Sequence, residues 1–163
     1  MFSVSSLVKT DVDKNPITGV RRILLALLFL GLLGTGSDLL LLSHYEDPWQ
    51  LIPLGLIAIG LIVITWHALS RGRASIRVLQ GAMVLFIMSG LAGFVFHYQG
   101  NREFQLEVNP SLGGLELFLK VIRAKAPPAL APGAMIHLGL LGLAYSYRHP
   151  ALAGPASTQQ TGA

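Results

Sequence analysis

Four stretches of the chain are apolar almost without interruption, and each is bounded by charge, histidine, tyrosine or proline. They cover residues 23–43, 51–69, 76–98 and 130–147. A hydrocarbon core of ~30 Å takes ~20 helical residues to cross. The lengths therefore predict an all-α membrane protein, a four-helix transmembrane bundle. On this reading residues 1–22 form a polar N-terminal segment, 23–149 the transmembrane domain, and 150–163 a disordered tail rich in Ala, Gly, Ser, Thr and Gln. The first apolar run follows Arg21-Arg22 with no small-x-small site after it, so it reads as a span and not as a signal peptide.

The connections are punctuated by residues with physical reasons to stop a helix. Pro48 ends the first turn, and Tyr45 and Trp49 beside it suit a membrane interface. Arg71-Gly72-Arg73 forms a tight basic turn. The longest connection, 99–129, carries a second pattern. Asn109-Pro110 resembles an N-cap with proline at the first helical position. Leu112, Leu115, Phe118, Leu119 and Ile122 then follow at helical spacing, with Glu116, Lys120 and Arg123 on another face. This predicts a short amphipathic helix in the outer loop between helices three and four, lying on the membrane surface or capping the bundle. Pro127-Pro128 redirects the chain into the fourth span.

Composition strengthens the membrane reading. Charged residues are only 12% of the chain, about half the share of a soluble domain. The net charge is +4, but the basic residues flank apolar segments and form no aromatic-interleaved patch, so a bilayer is the expected partner and nucleic acid is not. With no cysteine, thiolate metal sites, disulfides and thiol catalysis are excluded.

Orientation follows from where Lys and Arg fall. Lys9, Lys14, Arg21, Arg22, Arg71, Arg73, Arg77 and Arg148 share one side, and Arg102, Lys120, Arg123 and Lys125 the other, so the 12 basic residues divide as eight and four. The first side is expected to be cytoplasmic, with both termini there, in a cell (inner) membrane.

Ionisable groups inside a membrane are costly and usually face the bundle interior. Asp38 in the first span, His97 at the end of the third and His137 in the fourth are expected at similar depth in the outer half, with His44 a weaker fourth member. His97 shares a helical stripe with Gly90 and Gly93, and His137 with Gly133, Ala134 and Ala144, which predicts that both point inward. Three chemistries compete for this set. It is a structural hydrogen-bonded cluster, a site for a metal or haem cofactor on neutral imidazoles, or a proton-linked transport site on Asp38. No HxxxH or HExxH spacing singles out the second. His67 beside Trp66 reads as an interfacial anchor, and His149 beside Arg148 as a topogenic or solvated residue. Gly31, Gly34, Gly36, Gly139 and Gly142 read as packing positions.

Three stretches, 34–54 (GTGSDLLLLSHYEDPWQLIPL), 96–106 (FHYQGNREFQL) and 126–150 (APPALAPGAMIHLGLLGLAYSYRHP), resemble a family of uncharacterised small bacterial multi-pass membrane proteins. The resemblance implies a multi-pass membrane location and carries over no catalytic residue. Neither a phosphate-binding loop nor a nucleophile elbow occurs. The expected function is a non-enzymatic accessory or structural membrane component, working through a membrane protein partner or as a homo-oligomer. A metal- or haem-binding redox protein and a small proton-coupled transporter are the alternatives.

Overall fold

The structure, a computed structural model, describes residues 16–124 and 131–153. The lead-in before Pro16, the Pro127-Pro128 redirection and the tail from residue 154 fall outside the described residues. Everything described is helix or short connection, with no strand among the described residues. The helices are α1 (Pro16–Leu41), α2 (Leu51–Ser70), α3 (Arg73–Val108), α4 (Gly114–Ile122) and α5 (Gly133–Ser146), with single 3₁₀ turns at Pro48–Gln50 and Pro150–Leu152. Three helical stretches, Pro16–Leu41, Pro48–Ser70 and Arg73–Val108, are long and apolar enough to cross a membrane. The fourth apolar segment forms a shorter helix of 14 residues.

Each helix end has a local cause. Beyond α1, Ser43 adopts a left-handed φ of 52°. The Ser43 amide then donates to Leu40 and the His44 amide to Leu39, which closes a Schellman motif with serine where glycine is usual. In the next turn Gln50 Oε1 accepts from the amides of Glu46 and Asp47 at 2.9 and 3.3 Å. At the end of α2, Arg71 is left-handed at φ 47° and its amide donates to the His67 carbonyl. One residue, Gly72, then separates it from α3.

α3 is the spine of the molecule. Its 36 residues span about 54 Å at ~1.5 Å per residue, well beyond a ~30 Å hydrocarbon core. The sequence pattern predicts that this helix stops at residue 98. It continues without a break through the polar residues 99–108, and Asn101 is buried at 3% exposure. The expected start of the outer helix also shifts. Asn109 Oδ1 accepts from the amide and hydroxyl of Ser111, so Asn109 closes a tight turn instead of capping a helix. Gly114 takes φ 53°, which only glycine adopts freely, and α4 begins there. Leu112 and Val121 are buried, whereas Leu115 and Phe118 are exposed. Glu116 and Lys120 pair at 3.1 Å on the open face. At the start of the stretch that composition assigns to the tail, Pro150–Leu152 forms a 3₁₀ turn whose Ala151 and Leu152 pack on the core.

The core draws on α1 (Leu28, Leu32), α2 (Ile57, Ile64), α3 (Ile76, Leu79, Met83, Phe86) and α5 (Met135, Leu138). Its tightest contact is the crossing of α3 and α5. A Cβ on Gly139 would stand 2.6 Å from the Met83 carbonyl oxygen, and one on Gly90 would stand 2.8 Å from that of Pro132. Glycine on both helices lets the two backbones touch, the usual device where lipid supplies no hydrophobic drive for association. Gly31 and Gly142 meet Leu138 and Met83 side chains in the same way, while a Cβ on Gly34 would meet nothing within 4 Å. Gly31, Gly36, Gly139 and Gly142 are therefore packing positions, and Gly34 is not.

Candidate functional site

Apart from Asn101, the buried polar side chains among the described residues lie at the arginine-rich end of the bundle. The end of α2 supplies His67, the first turn of α3 supplies Ser75, and the end of α5 supplies Tyr145, with His149 just beyond it. His67 and Ser75 are each 1% exposed and Tyr145 is 6% exposed. His67 Nδ1 lies 2.8 Å from Ser75 Oγ, and Nε2 lies 2.8 Å from the Tyr145 hydroxyl. His149 Nε2 reaches the same hydroxyl at 3.4 Å, and its Nδ1 accepts from the Ala151 amide at 3.2 Å. Ser75 Oγ donates to the Gly72 carbonyl at 3.0 Å and accepts from Ser70 Oγ at 3.0 Å.

With both imidazoles neutral, one proton order satisfies every group in this chain of hydrogen bonds. Ser75 has one hydroxyl proton, and it goes to Gly72; His67 Nδ1 must therefore be the donor to Ser75. At the other end His149 Nδ1 accepts from a backbone amide, so the His149 proton sits on Nε2 and points at Tyr145. The Tyr145 oxygen accepts that proton's hydrogen bond and donates its own to His67 Nε2. With both imidazoles neutral, each ring nitrogen and each hydroxyl has a partner. Among the described residues, no buried side-chain nitrogen or oxygen is left without one. This is the state a low-dielectric site requires.

The proton order also decides what the Ser75–His67 pair can do. A nucleophilic serine needs its hydroxyl proton directed at an imidazole acceptor. Here the serine proton points at a carbonyl and the facing nitrogen is the donor. The pair is buried and joins α2 to α3, and through Tyr145 to α5. Arg21 of α1 extends the same clasp, its guanidinium donating to the carbonyls of Tyr147 and Arg148 at 3.3 and 2.9 Å. Those carbonyls lie just beyond the last residue of α5, where the helix supplies no further amide donor. Burial, and then the nearby His67 and Arg21, push the His149 pKa below its ordinary value, which agrees with a neutral ring.

The residues singled out by sequence lie toward the other end and are not drawn together as a metal centre. His137 is exposed, and its Nδ1 donates to the Gly133 carbonyl of its own helix at 2.8 Å. The inward reading of His137 is thus corrected. The buried stripe of α5 is Met135, Leu138, Gly139, Gly142 and Tyr145, set by the glycine contact with α3, and His137 lies off it. Asp38 is exposed in the last turns of α1. His97 and His44 do meet, with ring centroids 6.4 Å apart. Burial and then His97 lower the His44 pKa. Among the described residues, no group of three or more His, Asp or Glu is placed to hold a metal ion. The anchor reading of His67 is corrected as well, since it is buried and doubly hydrogen-bonded, whereas the neighbouring Trp66 is exposed.

Comparison with protein-family models, with curated proteins and with solved structures found no match.

Proposed function

We propose that this chain is a four-span integral membrane protein, with both termini in the cytoplasm, that works as a non-enzymatic component through a helical partner in the bilayer. The observation that carries the reading is the uneven cover of its helices. Only 11% of the apolar window of α1 is buried, against 28% in each of the other two long helices. Ile23, Leu27, Leu30 and Leu33 all lie on exposed parts of α1, while Leu28 and Leu32 dock it to the core. A helix held by one narrow stripe offers the rest of its surface to lipid or to another helix. The His67–Ser75–Tyr145–His149 network supports the same reading, because its hydrogen bonds run to one another and to the backbone of Gly72 and Ala151. The amphipathic face of α4, with Leu115 and Phe118 exposed, suits the outer interface.

A second reading has one observation in its favour. His44 and His97 face each other at the outer end, where a metal or haem could draw on both imidazoles. One purification separates the two. The chain, isolated from its native membrane in mild detergent, is expected to retain a second membrane polypeptide or a second copy of itself in fixed ratio. Leu30→Trp, which alters only the uncovered face, should weaken that retention. A monomer with one equivalent of metal or a haem absorption band would replace the first reading with the second.

A further inference from the structure

We propose that His149 is the pin of a pH-sensitive latch that holds the C-terminal turn Pro150–Leu152 against the arginine-rich end of the bundle. The geometry is that of a clasp. Arg148 is left-handed at φ 46°, a conformation L residues rarely adopt, and this bend folds His149 back over the end of α5. There the His149 ring packs edge-on against His67, with centroids 5.2 Å apart, and at a tilt against Tyr145 at 5.3 Å. The ring then caps the turn that follows, Nδ1 accepting from Ala151 and the backbone carbonyl accepting from Leu152 at 2.9 Å. Ala151 and Leu152 rest on the core. One imidazole thus joins the turn to α5 through Tyr145 and, beyond it, to α2 and α3 through His67 and Ser75.

Protonation undoes this join at a single atom. A proton on Nδ1 faces the Ala151 amide donor, so an acceptor becomes a second donor and the cap is lost. Among the described residues, the groups that act on the new cation are positive or neutral. Arg21 comes from α1, His67 from α2 with Arg71 just beyond it acting on His67, and Tyr145 from α5. From α3 comes the uncharged Ser75, with Arg73 and Arg77 exposed on the same turns. Among these neighbours there is no carboxylate to stabilise the charge. Burial first, and then His67 and Arg21, hold the latched His149 below its ordinary pKa, whereas in the released turn it returns to about 6.5. The released state therefore binds the proton more tightly. The latch is fully closed above about pH 6.5, and its closure is lost as pH falls from there through the lowered pKa of the latched state. The cytoplasmic location of this end rests on the topology proposed above; the latch itself does not.

The chain contains no cysteine, so a single Leu152→Cys reports release of the turn and a single Ala74→Cys, exposed on the first turn of α3, corrects for the pH dependence of thiol labelling. The full chain in lipid nanodiscs is labelled with an aqueous maleimide. The L152C-to-A74C rate ratio is expected to rise severalfold as pH falls from about 7.5 to 5.5, bounded by about tenfold per pH unit. In a His149→Gln background, which keeps a neutral acceptor at every pH, the ratio should be flat. A flat ratio with His149 present would overturn the latch. An unchanged slope in H149Q would overturn it equally, by assigning the titration to another group. Circular dichroism of H149Q checks that the helices are intact.

Discussion

Replacing Gly139 by alanine is expected to destabilise the protein by about 1–3 kcal/mol, the range for overpacking a filled contact, and Gly139→Leu is expected to prevent the α3–α5 crossing altogether. The added Cβ would stand 2.6 Å from the Met83 carbonyl oxygen and 3.2 Å from the Ile87 amide nitrogen. Both are backbone atoms of α3, so no side-chain rotation relieves the clash and the helices must separate. Separation also opens the reciprocal contact, where Gly90 admits the Pro132 carbonyl. Gly81→Ala is the matched control, since its Cβ would meet nothing within 4 Å. That change should be neutral or stabilising by up to about 1 kcal/mol through helix propensity. Unfolding in detergent, followed by circular dichroism, distinguishes the two. Equal stability of G139A and G81A would show that the backbones do not touch.

The second large effect is expected at His67. His67→Ala removes two hydrogen bonds worth roughly 1 kcal/mol each and leaves a cavity, for a loss of about 2–4 kcal/mol. Tyr145→Phe keeps the ring and breaks only the link between the imidazoles. It leaves His67 Nε2 without a donor and His149 Nε2 without an acceptor, and should cost about 1–2 kcal/mol. A double-mutant cycle checks the connection, because partners in one network are coupled and the two losses should fall short of additive. A surface anchor at position 67 would instead cost within about 0.5 kcal/mol and show no coupling to Tyr145.

The sequence showed some of this and concealed the rest for definite reasons. The three long apolar helices and the glycine stripe Gly90–Gly93 are local properties, set by residue size and helical period, and both appear in the structure. The extension of α3 through residues 99–108 was hidden because polarity was read as the end of a helix, although it marks only where a helix could leave the hydrocarbon. The outer helix was legible as a periodic pattern, but its first residue depended on the φ of Gly114, which no pattern records. The outer polar set rests on depth and on stripes shared with small residues, but small residues occur on more than one face of α5. Depth does not fix azimuth, and His137 turned out on the open face of α5 because Gly139 and Gly142 define the buried one.

The network at the other end had a readable signal that depth and spacing together supply. Tyr145 and His149 are four residues apart, and His67 and Ser75 flank the Arg71-Gly72 turn. All four therefore lie at one end of any antiparallel bundle built from these spans. Each taken singly has an ordinary interfacial explanation, and their joint placement is what distinguishes them. The pairing of His67 with Tyr145 joins residues 78 positions apart, so it emerges only when α2 and α5 are both packed on α3.

Topology is the claim on which the rest of the functional account stands. Its direct measurement is a set of paired reporter fusions, one reporter active only in the cytoplasm and one only outside it, placed after Asp47, Gly72, Gly113 and Pro150. The account expects cytoplasmic activity after Gly72 and Pro150 and external activity after Asp47 and Gly113, with α5 and the residues before it completing a fourth crossing. Reporters after Gly113 and Pro150 that fall on the same side would contradict it, leaving three spans and a helix α5 that does not cross.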